Sequence, residues 1–259
     1  MITSEQIRVS MPADAFDASG WWREEEWTPE RIHDYLTISD KNSKIGHTTN
    51  ISTLPGGIVR YKDGTPATNI EGTCGAACVV CLDSCYAANS VRRFTKTNVG
   101  AWGKNTILKH ENPDLYFFLI DKYISIKHPE VFRIHVSGEF ESAREIKEWN
   151  RIALNHPETT FYTYSKQYLY VGVAVASKGG LAKNFIINLS EWKNPGEIKK
   201  MMEKTGLGAF AYVEPADADK YKGVPFCPAV RKDGSMNHDW TCDKCPLCKM
   251  PIRKAVWAH

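Results

Sequence analysis

No apolar run in this 259-residue chain approaches the length needed to cross a bilayer; the stretch from Tyr170 to Ala176 is among the longest. The opening MITSEQIRVS lacks a basic segment leading into an apolar one, so no secretory signal is expected. Charge of one sign is scarce as well. The net charge is +3 with no block of five or six like charges, too little by itself to argue for nucleic acid. There is no phosphate-cradling glycine loop, no zinc-protease helix motif, and no internal repeat or low-complexity tract. Cysteine is missing from the 141 residues between Cys85 and Cys227, although eight cysteines flank that gap. These absences lead to the expectation of a cytoplasmic protein without membrane association, whose thiols stay reduced. Cysteines in two tight groups then point to metal or redox chemistry rather than to disulfides.

What is present suits a globular α/β protein with a sizeable core: 42% hydrophobic and 24% charged residues. Eight tryptophans and eleven tyrosines supply core area and could also stack on a planar ligand. Residues 1–45, with Trp21, Trp22 and Trp27 among glutamates, read as a helical N-terminal extension. Residues 46–73 are rich in Gly, Thr and Pro and read as short strands and loops. From there the pattern becomes regular. Asn112–Lys127 reads as a helix with Asn112 as cap and Pro113 at its first position. Val131–Val136 reads as a strand, Ser142–Leu154 as a helix, and Thr160–Tyr164 as a strand. Asn184–Leu189 is the next strand, Pro195–Lys204 a helix, and Ala209–Val213 the last strand. Alternation of this kind predicts a parallel sheet, open or closed into a partial (β/α) barrel over residues 46–220. Residues 221–259 read as a C-terminal cysteine-rich segment expected to bind metal.

The first cysteine group is Cys74, Cys78, Cys81 and Cys85; the second is Cys227, Cys242, Cys245 and Cys248. Gaps of two or three residues let a loop turn successive sulfurs toward one ion or cluster. Two zinc sites of four cysteines each would satisfy the count. Zinc knuckles usually bring two separated pairs, whereas here three thiols crowd together with a remote fourth, which favours iron–sulfur.

Cys74-x₃-Cys78-x₂-Cys81 is similar to the cysteine motif of the radical S-adenosylmethionine (SAM) superfamily. That resemblance implies a [4Fe–4S] cluster on three thiolates in loop 74–85, with its fourth iron open to chelate SAM. Ser137-Gly138-Glu139, at the end of the strand starting at Val131, resembles the Gly-Glu element that contacts the SAM amino group. Over roughly residues 50–250 the chain also resembles a phage family known as gene product eighty-eight, which is radical-SAM-like. The matching elements are Thr73–Ala76, Cys81-x₃-Cys85-Tyr86-Ala87, Ser137–Phe140, Tyr162–Lys166, Cys227-Pro228 and Cys242-x₂-Cys245-x₂-Cys248. The family pattern emphasises Cys74, Cys81 and Cys85; the superfamily spacing selects Cys74, Cys78 and Cys81. Four thiols thus compete for a site that takes three. Cys85 joining the second group would instead put five thiols on four positions there.

Other candidates follow from position. Tyr164, Ser165 and Lys166 lie at one strand end, Asn188 and Ser190 at the next, and Glu214 at the last, where sites of parallel folds gather. Tyr164 and Lys166 are the candidate catalytic residues; Ser137, Gly138, Glu139, Asn188 and Ser190 are the candidate cofactor contacts. His135, alternating with Arg133 and Ser137, reads as a core histidine or one facing a barrel interior. Arg92 and Arg93 read as counter-charges to a cluster or as a solvated helix face.

The expectation is therefore an iron–sulfur enzyme of radical-SAM type with one or two [4Fe–4S] clusters. It would cleave SAM to a 5′-deoxyadenosyl radical, take an electron from flavodoxin or ferredoxin, and act on a small or macromolecular substrate in the host cytoplasm if phage-encoded. The competing expectation is a non-enzymatic zinc or iron–sulfur module that binds nucleic acid or protein. A third is an enzyme that uses an open iron without SAM.

Overall fold

The computed structural model describes residues 1–41, 45–75, 81, 85–191 and 195–258. The chain forms two compact units, neither continuous in sequence. The first is Met1–Ile38, Ile51–Pro129 and His135–Ile152; the second is Ser39–Asn50, Glu130–Ile134 and Ala153–His259.

The first unit is mainly helical. Pro113–Lys127 is a 15-residue helix opened by Asn112, whose side chain accepts the Leu115 N–H at 3.2 Å. Its buried face carries Leu115, Tyr116, Leu119, Ile120, Tyr123 and Ile124, the spacing of an apolar helical stripe. Ala143–Asn155 is started by Ser142, whose hydroxyl accepts the Glu145 N–H at 3.1 Å. The tryptophans of the N-terminal extension serve packing. Trp22 and Trp27 are buried, and Trp21 packs against both rings and against Tyr35.

Among the described residues a seven-stranded sheet lies mainly in the second unit: β1 Ile38–Ser39, β2 Thr49–Ile51, β3 Val131–Ile134, β4 Thr160–Ser165, β5 Phe185–Glu191, β6 Gly208–Val213 and β7 Arg253–Trp257. Strand order follows chain order from β1 to β7, and the sheet is not closed. Every pairing from β3 to β7 is parallel, with Phe161 opposite Phe185 and Ala211 opposite Ala255. Central strands buried on both faces need continuous apolar runs, and Phe161, Tyr162 and Thr163 are successively buried. The long β6–β7 connection carries Cys227, Cys242, Cys245 and Cys248.

The predicted strands and helices are present with shifts of one or two residues. Three differences bear on function. The first strand ends at Ile134, and His135 turns out of it with φ +54°, a left-handed conformation, so it is not a mid-strand residue alternating with Arg133. Tyr168–Val175 is a helix, where the sequence showed only an apolar stretch. The C-terminal segment supplies a strand, β7, to the sheet. Among the described residues no helix is long and apolar enough to cross a membrane.

Candidate metal centre

In the first unit a set of short polar bonds joins Thr73, the residue before Cys74, to the Ser137-Gly138-Glu139 turn. Thr73 donates its N–H to the Leu54 carbonyl at 3.0 Å, and its hydroxyl accepts the Glu139 N–H at 3.0 Å. Thr53 donates its N–H to the Ser137 carbonyl and shares a 2.8 Å hydroxyl bond with Thr73. Gly138 sits at φ +90°, and a Cβ there would land on the Thr53 and Thr73 hydroxyls, so only glycine lets the turn approach this closely. Glu139 is buried and accepts the Phe140 N–H at 2.9 Å.

This packing makes Glu139 an electrostatic neighbour of Cys74, together with Cys81 and Cys85. Burial first, then these negative neighbours, push the Cys74 thiol up to about 12, against a donated N–H from Gly56. Cys85 caps the helix Tyr86–Arg93, its sulfur accepting the Ala88 N–H at 3.5 Å. The next residue, Tyr86, donates its hydroxyl to the Val136 carbonyl, and Ala87 and Ala88 are buried. The Cys-Tyr-Ala element is thus a cap, an anchor and a packing face. Cys78 lies outside the described residues. Arg92 donates to the Arg60 carbonyl at 2.7 Å and to Asn89 at 2.6 Å, and Arg93 is exposed.

Behind the turn lies a buried charged group that sequence reasoning missed. The Lys109 ammonium stands 2.7 Å from Glu145 and 3.0 Å from Glu141, and Glu145 also accepts the Glu141 N–H at 2.8 Å. Burial raises the Glu145 carboxyl against the pull of Lys109. His135 packs on Phe140 and Trp149, 3.4 Å from Glu145. Among the described residues neither of its ring nitrogens makes a hydrogen bond. Burial, then the charge of Lys109, hold it well below 6.5, hence neutral.

In the second unit Cys227, Cys242, Cys245 and Cys248 all line one cavity of about 20 Å³, above the ~10–15 Å³ that admits a water molecule. Phe210, Trp240, Leu247 and Lys254 complete much of its wall. Two devices fold the remote thiols together. Cys227 donates its N–H to the Ala255 carbonyl of β7 at 2.7 Å. Asp243 accepts the Thr241 hydroxyl and the N–H groups of His47 and Lys244, at 3.1 Å for each N–H. Its carboxylate occupies the space a Cβ would need at Gly46.

Asn188, expected at a cofactor, is fully buried and works as a brace. Its amide donates to the Thr163 carbonyl at 3.1 Å and the Cys248 carbonyl at 3.0 Å, and its oxygen accepts from Lys254 at 2.6 Å. Tyr164, expected at a substrate, hydrogen-bonds the Cys248 thiol. Arg133 lies 5.1 Å over the Tyr164 ring and 5.8 Å over that of Tyr162. Burial pushes Cys248 up to about 11; Tyr164 and Lys254 oppose this, and Cys242 and Cys227 add to it. Lys254 is brought down to about 8 by burial, while Cys248 and Cys245 hold it up. Lys166, just past β4, is half-buried, and the Ser190 carbonyl accepts the Tyr168 hydroxyl. Glu214 is exposed at the end of β6.

The structure therefore groups Cys74, Cys81, Cys85, Gly138 and Glu139 in one unit, and Tyr164, Asn188 and the four C-terminal cysteines in the other. Among the described residues, no three of His, Cys, Asp and Glu are arranged to hold a single metal ion. Lys109, Arg133 and Lys254 escaped the sequence because charged residues within otherwise apolar helices and strands give no sign of which face they take.

A model of the family Gene product 88 matches residues 36–251. The chain is similar to the Gene 88 protein of Mycobacterium phage L5, 26% identical over 137 residues, which are 51% of this chain and 56% of that protein. The similarity thus spans little more than half of that relative. No solved structure matches.

Proposed function

Since the chain belongs to the Gene product 88 family, we propose that this phage-type protein is an iron–sulfur enzyme of radical-SAM type, with a SAM-binding cluster on the Cys74 loop and an auxiliary cluster in the C-terminal cavity. The observation that carries the reading is that cavity: four thiols, from pieces of chain 14 residues apart at their widest gap, line a single space. Four cysteine sulfurs around a space whose wall is otherwise mainly apolar, with Lys254 and Thr241 beside them, are a donor set that suits a [4Fe–4S] cluster. The order of the sheet, which is not closed, lends support to a partial barrel. Parallel strands in chain order are the arrangement of (β/α) barrels, unlike the reversed order of doubly wound sheets.

In the first unit three of the thiols Cys74, Cys78, Cys81 and Cys85 would hold a cluster and leave one iron for SAM. Such a cluster, once reduced by flavodoxin or ferredoxin, supplies the electron for cleavage of the SAM sulfonium bond. The protein's own part is to bind and orient. Thr53, Thr73 and Gly138 fix the Glu139 backbone beside Cys74. Its carboxylate would accept a charge-assisted hydrogen bond from the SAM ammonium. Because a buried thiol such as Cys74 resists ionisation, loading must release protons and is favoured at higher pH. Tyr164 and Asn188, which contact Cys248, would support the C-terminal centre.

The test is SAM addition to reduced, anaerobically purified protein. The electron paramagnetic resonance signal should change and 5′-deoxyadenosine should form, and Glu139→Gln should weaken SAM binding without loss of iron. Cys78→Ala and Cys85→Ala separate the two ligand sets, because only the true ligand's loss abolishes the response. Iron-loaded wild-type protein that neither binds SAM nor yields 5′-deoxyadenosine contradicts the enzymatic reading.

A further inference from the structure

The two candidate centres differ in the charge that stands beside their thiols. In the second unit Lys254 lines the same cavity as Cys227, Cys242, Cys245 and Cys248 and is only 1% exposed. Two bonds of 2.6 Å, to the Asn188 side chain and the Met250 carbonyl, fix its nitrogen, and Cys248 and Cys245 are its near negative partners. Tyr164 adds a hydrogen bond to the Cys248 sulfur. In the first unit, among the described residues, the charged neighbour of Cys74 apart from other cysteines is the carboxylate of Glu139.

Reducing a cluster adds a negative charge. A fixed cation and a donor at a ligating sulfur stabilise the reduced state, whereas a carboxylate destabilises it. The effect is strong where both groups are shielded from water, as Lys254 is. We infer that Lys254, seconded by Tyr164, gives a cluster in the C-terminal cavity a higher reduction potential than a cluster on the Cys74 loop. This rests on the iron–sulfur reading above. It assigns the C-terminal centre the role of holding an electron rather than of delivering one to SAM.

The experiment is a redox titration of the full chain, reconstituted anaerobically with iron and sulfide and followed by electron paramagnetic resonance. The signal that responds to SAM marks the Cys74 loop. Two one-electron midpoints are expected, the higher one insensitive to SAM. Lys254→Met should lower that midpoint by about tenfold in the equilibrium constant, roughly 59 mV for one electron, and leave the other in place. Lys254→Arg should restore it, and Tyr164→Phe should lower the same midpoint by a smaller step. Should Lys254→Met assemble no C-terminal cluster, Tyr164→Phe decides alone, and an unmoved midpoint there overturns the inference. Iron-loaded variants with unchanged midpoints, or a SAM-insensitive midpoint lying below the other, overturn the inference while leaving the iron–sulfur reading intact. Wild-type protein that takes up no iron overturns both.

Discussion

Replacing Lys109 with Met keeps the length and apolar stem of the side chain and deletes its charge. In the native protein the ammonium lies 2.7 Å from Glu145 and 3.0 Å from Glu141, with the Lys109 and Glu145 side chains 6% and 5% exposed. Removal of one partner from such a buried pair leaves an uncompensated carboxylate, at a cost of about 3–5 kcal/mol. Glu145 has one route of relief. Burial already raises its carboxyl, and without Lys109 it rises further, so the side chain takes up a proton. The folded state then binds a proton that the unfolded state releases above the ordinary value of 4.5. The loss should accordingly be full at pH 8 and shrink toward pH 5. Lys109→Met combined with Glu145→Gln should regain most of the stability. Glutamine removes the charge yet keeps an oxygen for the Glu141 N–H now held at 2.8 Å. Urea denaturation of the three proteins at both pH values measures these differences. A single variant within about 1 kcal/mol of wild type at pH 8, where a broken buried pair should cost several, refutes the reasoning. So does a double variant no more stable than the single one.

Two further consequences follow from the same unit. His135 is buried neutral, so below its ordinary value of 6.5 the unfolded chain binds a proton that the folded chain does not. Stability is present above that value and falls with pH by about 1.4 kcal/mol per unit from this group. His135→Asn, which tolerates the left-handed backbone, should reduce the slope between pH 6.5 and 5.5, and equal slopes would sink the assignment. Gly138→Ala should destabilise the protein by roughly 1–3 kcal/mol through a strained positive φ. It should also displace the Thr53–Thr73 contact and weaken SAM binding; a variant with native stability and SAM affinity would show that the turn tolerates a Cβ.

The parallel α/β arrangement was legible because β3 to β6 and the helices between them obey their own periodicities, and because Asn112 and Ser142 are caps at the positions their chemistry predicts. The grouping of the C-terminal cysteines was legible from spacing. β7 was not, since Arg253–Trp257 begins with two charged residues and follows a cysteine-rich loop. Lys254 could not be seen as buried without knowing the register of that strand. Asn188 shows a related limit. Its strand-end position suits gripping a ligand, and the sequence carries no sign that its amide also reaches the Cys248 carbonyl. His135 kept the strand's alternation in sequence while its backbone left the strand.

The central claim is that the C-terminal cavity holds a four-thiolate iron–sulfur cluster, and the most direct measurement is the iron, sulfide and zinc content of anaerobically purified wild-type protein beside Cys248→Ser. With a cluster at each centre, wild type should be brown with about eight irons and eight sulfides, four of each per cluster. Cys248→Ser should lose about half of both while retaining the SAM-responsive signal. Colourless protein with about two zincs per chain, as two four-cysteine zinc sites would bind, or iron content unchanged by the substitution, contradicts the claim.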